Sequence, residues 1–375
     1  MPNFILSTCG TSLLTNKTSN EIRSIITKYS NETQWHHLPE PTALEIQHHI
    51  ECRKNLLLNE TDTNVIKSLS AELNGLLTFH NSIANDNQTN QDIYYLLATD
   101  TLFGRATAEI IASWLNKKGL NAQIITENGL RTAQLREFRQ ALSSLAKKLV
   151  ENFESYKHSG YKIYINLTGG FKSLNGFLQA LASLYADETF YLFEGSNELM
   201  FIPKLPFRLE AESLIEQNLT AFRRLSNDLQ INPTTASQIP DVLLFEVDDH
   251  LMLSEWGELL WQSHKAQIYQ KFLPSISSKI IYTPEFSDSV KHLPINLIPK
   301  LNSTIEQLAV YAESNGKINL RSLDAKPLKE KQYRDKDMWE CDIEGNNYRI
   351  FMIKADTDFI LQKAGQALHK SNTKI

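Results

Sequence analysis

The sequence predicts a doubly wound α/β domain, then a small α+β linking module, then a C-terminal α+β domain with an antiparallel sheet. Three observations carry this. Short apolar runs alternate with helical stretches over the first two hundred residues, as parallel sheets with crossover helices require. Several of those runs end in turns of small and hydroxyl residues. The last hundred residues change to successive apolar runs, two of them joined by Gly345-Asn346-Asn347, the pattern of an antiparallel meander. The boundaries read as 1–210, 211–277 and 278–375, with Pro203 and Pro206 marking the end of the first domain.

In chain order, Phe4 to Thr8 is a first buried strand, ended by Cys9-Gly10-Thr11-Ser12. Lys17 to Asn90 is polar with helical spacing, for example Val65, Leu69, Leu73 and Leu77. Ile93 to Ala98 is a second strand, followed by Thr99 to Arg105 and a helix from Ala106 to Lys118, stopped by Gly119. Gln123 to Thr126 is a short strand, and Leu135 to Phe153 is a long amphipathic helix. Lys162 to Leu167 is the strand before Thr168-Gly169-Gly170-Phe171-Lys172-Ser173, and a helix follows from Leu174 to Ala186. Thr189 to Phe193 and Leu199 to Ile202 close the domain as paired strands. In the module, Glu210 to Leu229 is helical, Leu243 to Leu253 is a hairpin around Asp248-Asp249-His250, and a helix carries Trp256 and Trp261. The last domain opens with a strand over Lys279 to Phe286 and continues with a helix broken by Pro294 and Pro299. Its strands are expected at Met338 to Asp342, Tyr348 to Ile353 and Phe359 to Leu361.

The run Thr168 to Ser173 carries most of the chemistry. Strand, glycine turn and helix start make an anion site: glycine lets the backbone approach a phosphate, and unpaired N–H groups point at it. Thr168 and Ser173 add hydroxyls and Lys172 adds a cation. A Walker A loop needs Gly directly before the Lys, and this chain has Phe171 there. An ordinary strand-to-helix turn with a surface lysine is the alternative. Ligands of doubly wound sheets bind beyond the carboxyl ends of the strands. The turns Gly10–Leu13, Thr99–Arg105 and Thr168–Ser173 are all expected there.

Composition narrows the class. The chain has 375 residues, 42% hydrophobic and 22% charged, with net charge −5, which excludes a generally basic nucleic-acid binder. From Ser278 onward, 15 Lys and Arg outnumber 13 Asp and Glu, so the tail is mildly basic. Three scattered cysteines without a C-x-x-C pair argue against a disulfide framework or a cysteine zinc site. No transmembrane run and no basic leader is present, so a cytoplasmic protein without membrane contact is expected. The module lacks a basic recognition helix, which argues against DNA binding.

Residues 1–210 resemble CARF domains, the sensor domains of type III CRISPR ancillary effectors. The resemblance rests on Ser7-Thr8-Cys9-Gly10-Thr11-Ser12, Thr168-Gly-Gly-Phe-Lys-Ser173, and the closing Phe193-Glu-Gly195 with Ile202-Pro203-Lys-Leu-Pro206. It implies a Rossmann-like homodimer that binds a cyclic oligoadenylate across the two-fold axis. Cyclic tetra-adenylate is the favoured activator, and no cofactor is expected. The implied ligand contacts are Gly10, Thr11, Ser12, Asp100, Thr101, Arg105, Thr168, Gly169, Gly170, Phe171, Lys172 and Ser173. Arg105 and Lys172 supply charge, and Asp100 is a candidate ribose or base contact.

Residues 278–375 resemble RelE-like toxins, which cut mRNA on the ribosome. The carriers are Tyr282-Thr-Pro-Glu-Phe286, Lys326-Pro-Leu-Lys329, Trp339-Glu340 and Tyr348-Arg349-Ile-Phe351, with a basic end at His369-Lys370. The resemblance implies a metal-independent endoribonuclease with ribosome and mRNA as partners. Arg349 would clamp the transition state, Lys326 or Lys329 would act as base or phosphate anchor, and His369 or Lys370 as acid or substrate contact. The sequence departs from the family at Asp342, where many relatives carry Arg, and it lacks a clear C-terminal Tyr. The acid–base assignment therefore stays open. A transcriptional regulator and a nuclease that degrades the cyclic ligand are the alternatives.

Overall fold

The computed structural model describes residues 1–83, 91–193, 198–203, 211–320, 322–328, 337–344 and 347–367. The chain divides into two compact units, Met1–Arg208 and Leu209–Ile375.

Among the described residues, the first unit is built on a six-stranded sheet. Its strands are β1 (Asn3–Cys9), β2 (Ile93–Ala98), β3 (Asn121–Ile125), β4 (Lys162–Asn166), β5 (Glu188–Leu192) and β6 (Leu199–Pro203), in the order β3-β2-β1-β4-β5-β6. Neighbours are parallel except β6, which runs antiparallel to β5. β1 lies at the centre and is buried from Phe4 to Cys9, which is why it reads as an unbroken apolar run. Chain order reverses about β1 and β4, so the crevice beyond their carboxyl ends is the topological switch point.

Between β1 and β2 the chain forms α1 (Ser12–Thr15), α2 (Asn20–Lys28), α3 (Glu40–Asn59), α4 (Thr63–Leu69) and α5 (Ala71–Ile83). With α6 (Leu102–Lys117) they cover one face of the sheet, packing Ile46, Leu57, Leu73, Phe79, Phe103 and Ile111 against Ile5, Tyr94 and Leu96. Arg53 is buried there and donates to the carbonyls of Leu13 (2.7 Å) and Asn16 (2.9 Å), which satisfies the end of α1. On the other face, α7 (Leu135–His158) brings Phe153 and Tyr156 edge-on and tilted to Phe4, and α8 (Lys172–Tyr185) follows β4. α6 begins four residues before the sequence suggests. Thr101 is its N-cap, with Oγ1 accepting from Gly104 N, so Arg105 sits in the first helical turn.

The second unit begins with α9 (Glu212–Gln217), α10 (Leu219–Leu225) and α11 (Pro233–Ala236). The hairpin β7 (Leu244–Val247) and β8 (His250–Leu253) turns through Asp248 and Asp249, both at positive φ, and leads into α12 (Glu255–Ile268). A five-stranded sheet has the order β10-β11-β12-β13-β9, with β9 (Ile280–Tyr282), β10 (Lys326–Pro327), β11 (Met338–Glu344), β12 (Tyr348–Ala355) and β13 (Asp358–Gln366). The meander of β11 to β13 is antiparallel as expected, but β9 joins its far edge in parallel with β13. The opening strand stops at Tyr282. Thr283 caps α13 (Pro284–Val290), with Pro284 in the first turn where its missing N–H costs nothing.

α14 (Ile298–Glu313) packs Leu301, Ile305, Leu308 and Ala312 on one sheet face, against Cys341, Ile350, Met352 and Leu361. Strand alternation then assigns Met338, Glu340, Asp342, Arg349 and Phe351 to the opposite face. A buried ion pair ties α10 to α14. Arg223 Nε donates to Glu306 Oε1 at 2.6 Å, and Glu306 also accepts from Tyr269 OH (2.6 Å) and Asn227 Nδ2 (3.0 Å). Among the described residues, no helix is long and apolar enough to cross a membrane.

Candidate functional site

The structure brings two of the three anticipated turns into contact. Gly10, directly after β1, stands where an added Cβ would be 3.2 Å from Gly170 N, in the turn after β4. Thr8 Oγ1 donates to the Gly169 carbonyl at 2.8 Å and so clasps the two strand ends together. Asn175, in the first turns of α8, donates to the carbonyls of Leu167 (3.2 Å) and Gly169 (3.0 Å). Thr168 N donates to Asn166 Oδ1, and Thr168 Oγ1 accepts from Leu192 N. Gly170 has φ +84°, which disfavours any side chain, and a Cβ there would sit 2.8 Å from Thr8 Cβ. α8 starts after Phe171 without a side-chain cap. Lys172 and Ser173, at its start, are exposed.

Glu72, near the start of α5, lies at the centre of this arrangement and is 0% exposed. Its Oε1 accepts from Gly10 N at 2.8 Å. Its Oε2 accepts from Ser12 Oγ at 2.5 Å and Ser70 Oγ at 2.7 Å. Gly169 is a glycine because of it: a Cβ would be 2.4 Å from Glu72 Oε1. Sequence reasoning gave the Gly169 approach to a phosphate; in the structure the neighbour is a carboxylate of the chain itself. Burial first, and then the Glu72 charge, push the Cys9 thiol well above its usual value. Glu72 was missed because it lies in a stretch read only for helical periodicity. The available signal was its position on the buried stripe Glu72, Leu76, Phe79, where an acid is out of place.

The third turn follows β2, on the other side of β1. Asp100 is 5% exposed and fully engaged: Arg105 pairs with Oδ1, while Gly129 N (2.9 Å) and Arg131 Nη1 (3.4 Å) meet Oδ2. Burial alone would raise its pKa, but the Gly129 N–H and the two guanidinium groups hold it below the ordinary carboxylate value. Asp100 and Arg105 therefore partner each other, and Arg131 continues to Glu137 at 2.8 Å. Thr101 serves as the α6 cap.

In the second unit, Arg349 lies on the sheet face away from α14, 9% exposed and between two carboxylates. Its Nη1 donates to Glu340 Oε1, and its Nε is 3.1 Å from Asp342 Oδ1 without hydrogen-bond geometry. Burial is the leading influence on Asp342 and raises its carboxyl above the usual value despite Arg349 and Lys326. Lys326 faces Glu340 in the strand register and pairs with Asp324. Lys329, His369 and Lys370 lie outside the described residues. Tyr348 packs against the α14 face. A cavity of about 250 Å³ lined by Tyr311, Asn315, Lys354, Asp356 and Phe359 contains none of the candidate residues.

Comparison with known proteins divides along the chain. Residues 67–205 match the model of a family described as "CRISPR-associated protein (Cas_APE2256)". The matched segment includes Glu72, Asp100, Arg105 and the whole Thr168–Ser173 turn, and it ends with β6. Among solved structures, YafQ from E. coli strain BL21(DE3) aligns with 24% of this chain and 94% of that chain, at 19% identity and a TM-score of 0.19. YafQ from the E. coli DinJ-YafQ complex aligns with 23% of this chain and 90% of that chain, at 20% identity and a TM-score of 0.18. Likeness of this size establishes neither fold nor activity. No curated protein matches the chain.

Proposed function

We propose that the chain is a CRISPR-associated effector: the first unit binds a cyclic oligoadenylate, and the second cuts mRNA on the ribosome. One observation carries the sensor reading. The turns after β1 and β4 touch at the switch point of a parallel sheet, where phosphate-bearing ligands bind, within or beside the segment that matches a CRISPR-associated family model. Gly10, Thr11, Ser12 and the Thr168–Ser173 turn would face the ligand, with Lys172 and Arg105 supplying charge. A cyclic tetra-adenylate suits a homodimer, because a symmetric ring offers each protomer the same phosphates.

The nuclease reading rests on the sequence resemblance and on the sheet face that carries Arg349. In the reaction, the 2′-hydroxyl of the message attacks the adjacent phosphorus and loses its proton to a base. The bond to the 5′-oxygen breaks as that oxygen gains a proton, leaving a 2′,3′-cyclic phosphate and a 5′-hydroxyl. Arg349 stabilises the charge that builds on the phosphorane, and Lys326 or Lys329 anchors phosphate or takes the proton. His369 or Lys370 is assigned to the leaving oxygen.

The test is cleavage of a translated mRNA by purified protein, with and without cyclic tetra-adenylate and with and without ribosomes. Cutting that needs both, and that Arg349→Ala abolishes while ligand binding persists, supports the proposal. Cutting of naked RNA would refute the ribosome-dependent part. Ligand binding without cutting would favour a regulator, and loss of intact ligand without RNA cleavage would favour a nuclease acting on the ligand.

A further inference from the structure

The Gly10–Ser12 turn already holds an oxyanion. Glu72 presents two carboxylate oxygens to one backbone N–H and two hydroxyls. Those are the donor types that hold a phosphate oxygen. The carboxylate is fully buried, and among the described residues these neutral donors are the partners that stabilise it. A ligand phosphate and the Glu72 carboxylate cannot share them, because each donor has one proton and the two anions repel.

We propose that Glu72 is a resident anion: a ligand phosphate enters the Gly10–Ser12 turn by exchanging with its carboxylate, and the start of α5 moves as it leaves. The inference rests on the reading that the first unit binds a phosphate-bearing ligand. Three further contacts make α5 the element that responds. Ser12 Oγ accepts from Ala71 N at 2.9 Å, so the same hydroxyl ties the helix start to the turn. Ser70 Oγ, a donor to Glu72, also accepts from Leu73 N at 3.2 Å. Gly75 brings α5 against the second turn, where a Cβ would be 2.5 Å from Thr168 Oγ1 and 2.7 Å from Asn166 Oδ1. α5 therefore rests on both ligand turns, and Glu72 and Ala71 N are its polar links to the first. Exchange of the anion converts ligand binding into a displacement of this helix, and it raises the affinity a ligand needs before it is admitted.

The experiment uses the full chain, wild type and Glu72→Gln. Glutamine keeps the length and one acceptor oxygen and removes the charge. Both proteins are titrated with cyclic tetra-adenylate and, separately, with inorganic pyrophosphate, while amide exchange is followed in residues 69–76. The expected result is binding of cyclic tetra-adenylate about tenfold tighter in Glu72→Gln, with faster exchange at Ala71 to Leu73 when wild type binds. Equal or weaker binding by a folded Glu72→Gln overturns the proposal and leaves the sensor reading intact, since Glu72 would then only brace the turn. Should cyclic tetra-adenylate bind neither protein while pyrophosphate prefers Glu72→Gln, the exchange stands and the cyclic-adenylate reading falls. If neither anion binds either protein, the proposal is overturned. Glu72→Met, which also removes the charge at similar length, gives the same comparison if Glu72→Gln fails to fold.

Discussion

Glu306→Gln tests what holds the second unit together. Glu306 and Arg223 are almost completely inaccessible, and the pair joins α10 to α14. Arg223 is oriented by the Pro274 carbonyl at 2.7 Å, and Tyr269 OH lies 2.6 Å from both Glu306 oxygens. Glutamine fills the same space but leaves the Arg223 charge buried without a counter-charge. Removing one partner of such a pair costs about 3–5 kcal/mol. For a unit of this size that lowers the melting temperature by roughly 6–20 °C. The assay is urea unfolding followed by hydrogen exchange in peptides from α10, α12 and α14, so the first unit does not obscure the result. All three should lose protection at one lowered urea concentration. The double replacement Arg223→Met with Glu306→Leu should recover much of the loss, because an apolar pair carries no stranded charge. A loss below about 1 kcal/mol in Glu306→Gln, or separate unfolding of α10 and α14, would refute the argument.

Asp100 gives a pH dependence. Its folded pKa is depressed, so its contribution to stability is present above its unfolded value near pH 4 and is lost as pH falls through the folded pKa. Asp100→Asn should therefore be less stable than wild type at pH 7, with the gap closing in acid melts. Asp342 has the opposite sign, since its folded pKa is raised. Lowering the pH through that value favours the folded state at this site, and Asp342→Asn should be neutral or slightly stabilising at pH 7 by thermal melting, within about 1 kcal/mol. Gly170→Ala combines a positive φ with a close approach to Thr8, so it should cost about 1–3 kcal/mol in chemical denaturation. It should also weaken ligand binding; unchanged stability would mean the turn is softer than it looks.

The strands of the first unit were legible because parallel strands covered on both faces are unbroken apolar runs: β1, β2 and β4 fall within a residue or two of their expected bounds. The meander was legible from the spacing of its apolar runs, while Gly345 and Asn346 of the expected turn lie outside the described residues. What failed was non-local or capped. β9 pairs with β13 across some eighty residues, which no local pattern reports. The strand through Phe286 ended early because Thr283 and Pro284 together start a helix.

The site shows a different limit. Glycine at 169 does mark a close approach, yet the residue alone cannot say what approaches, and Glu72 came from a helix nearly a hundred residues away. The same holds for three other candidate groups among the described residues. Arg105 meets Asp100, Arg349 meets Glu340 and Asp342, and Lys326 meets Asp324. A sequence lists basic and hydroxyl residues as if they were available, whereas folding places a carboxylate beside each of these. For a chain of net charge −5 that has consequences for binding. A polyanion gains little from such neutralised groups at long range, so indiscriminate association with nucleic acid is expected to be weak. On the proposed reading, only a ligand whose phosphates fit the donor geometry well enough to displace the internal carboxylate gains its donors' full hydrogen-bonding strength. Selectivity then follows from competition within the protein as much as from the shape of the ligand.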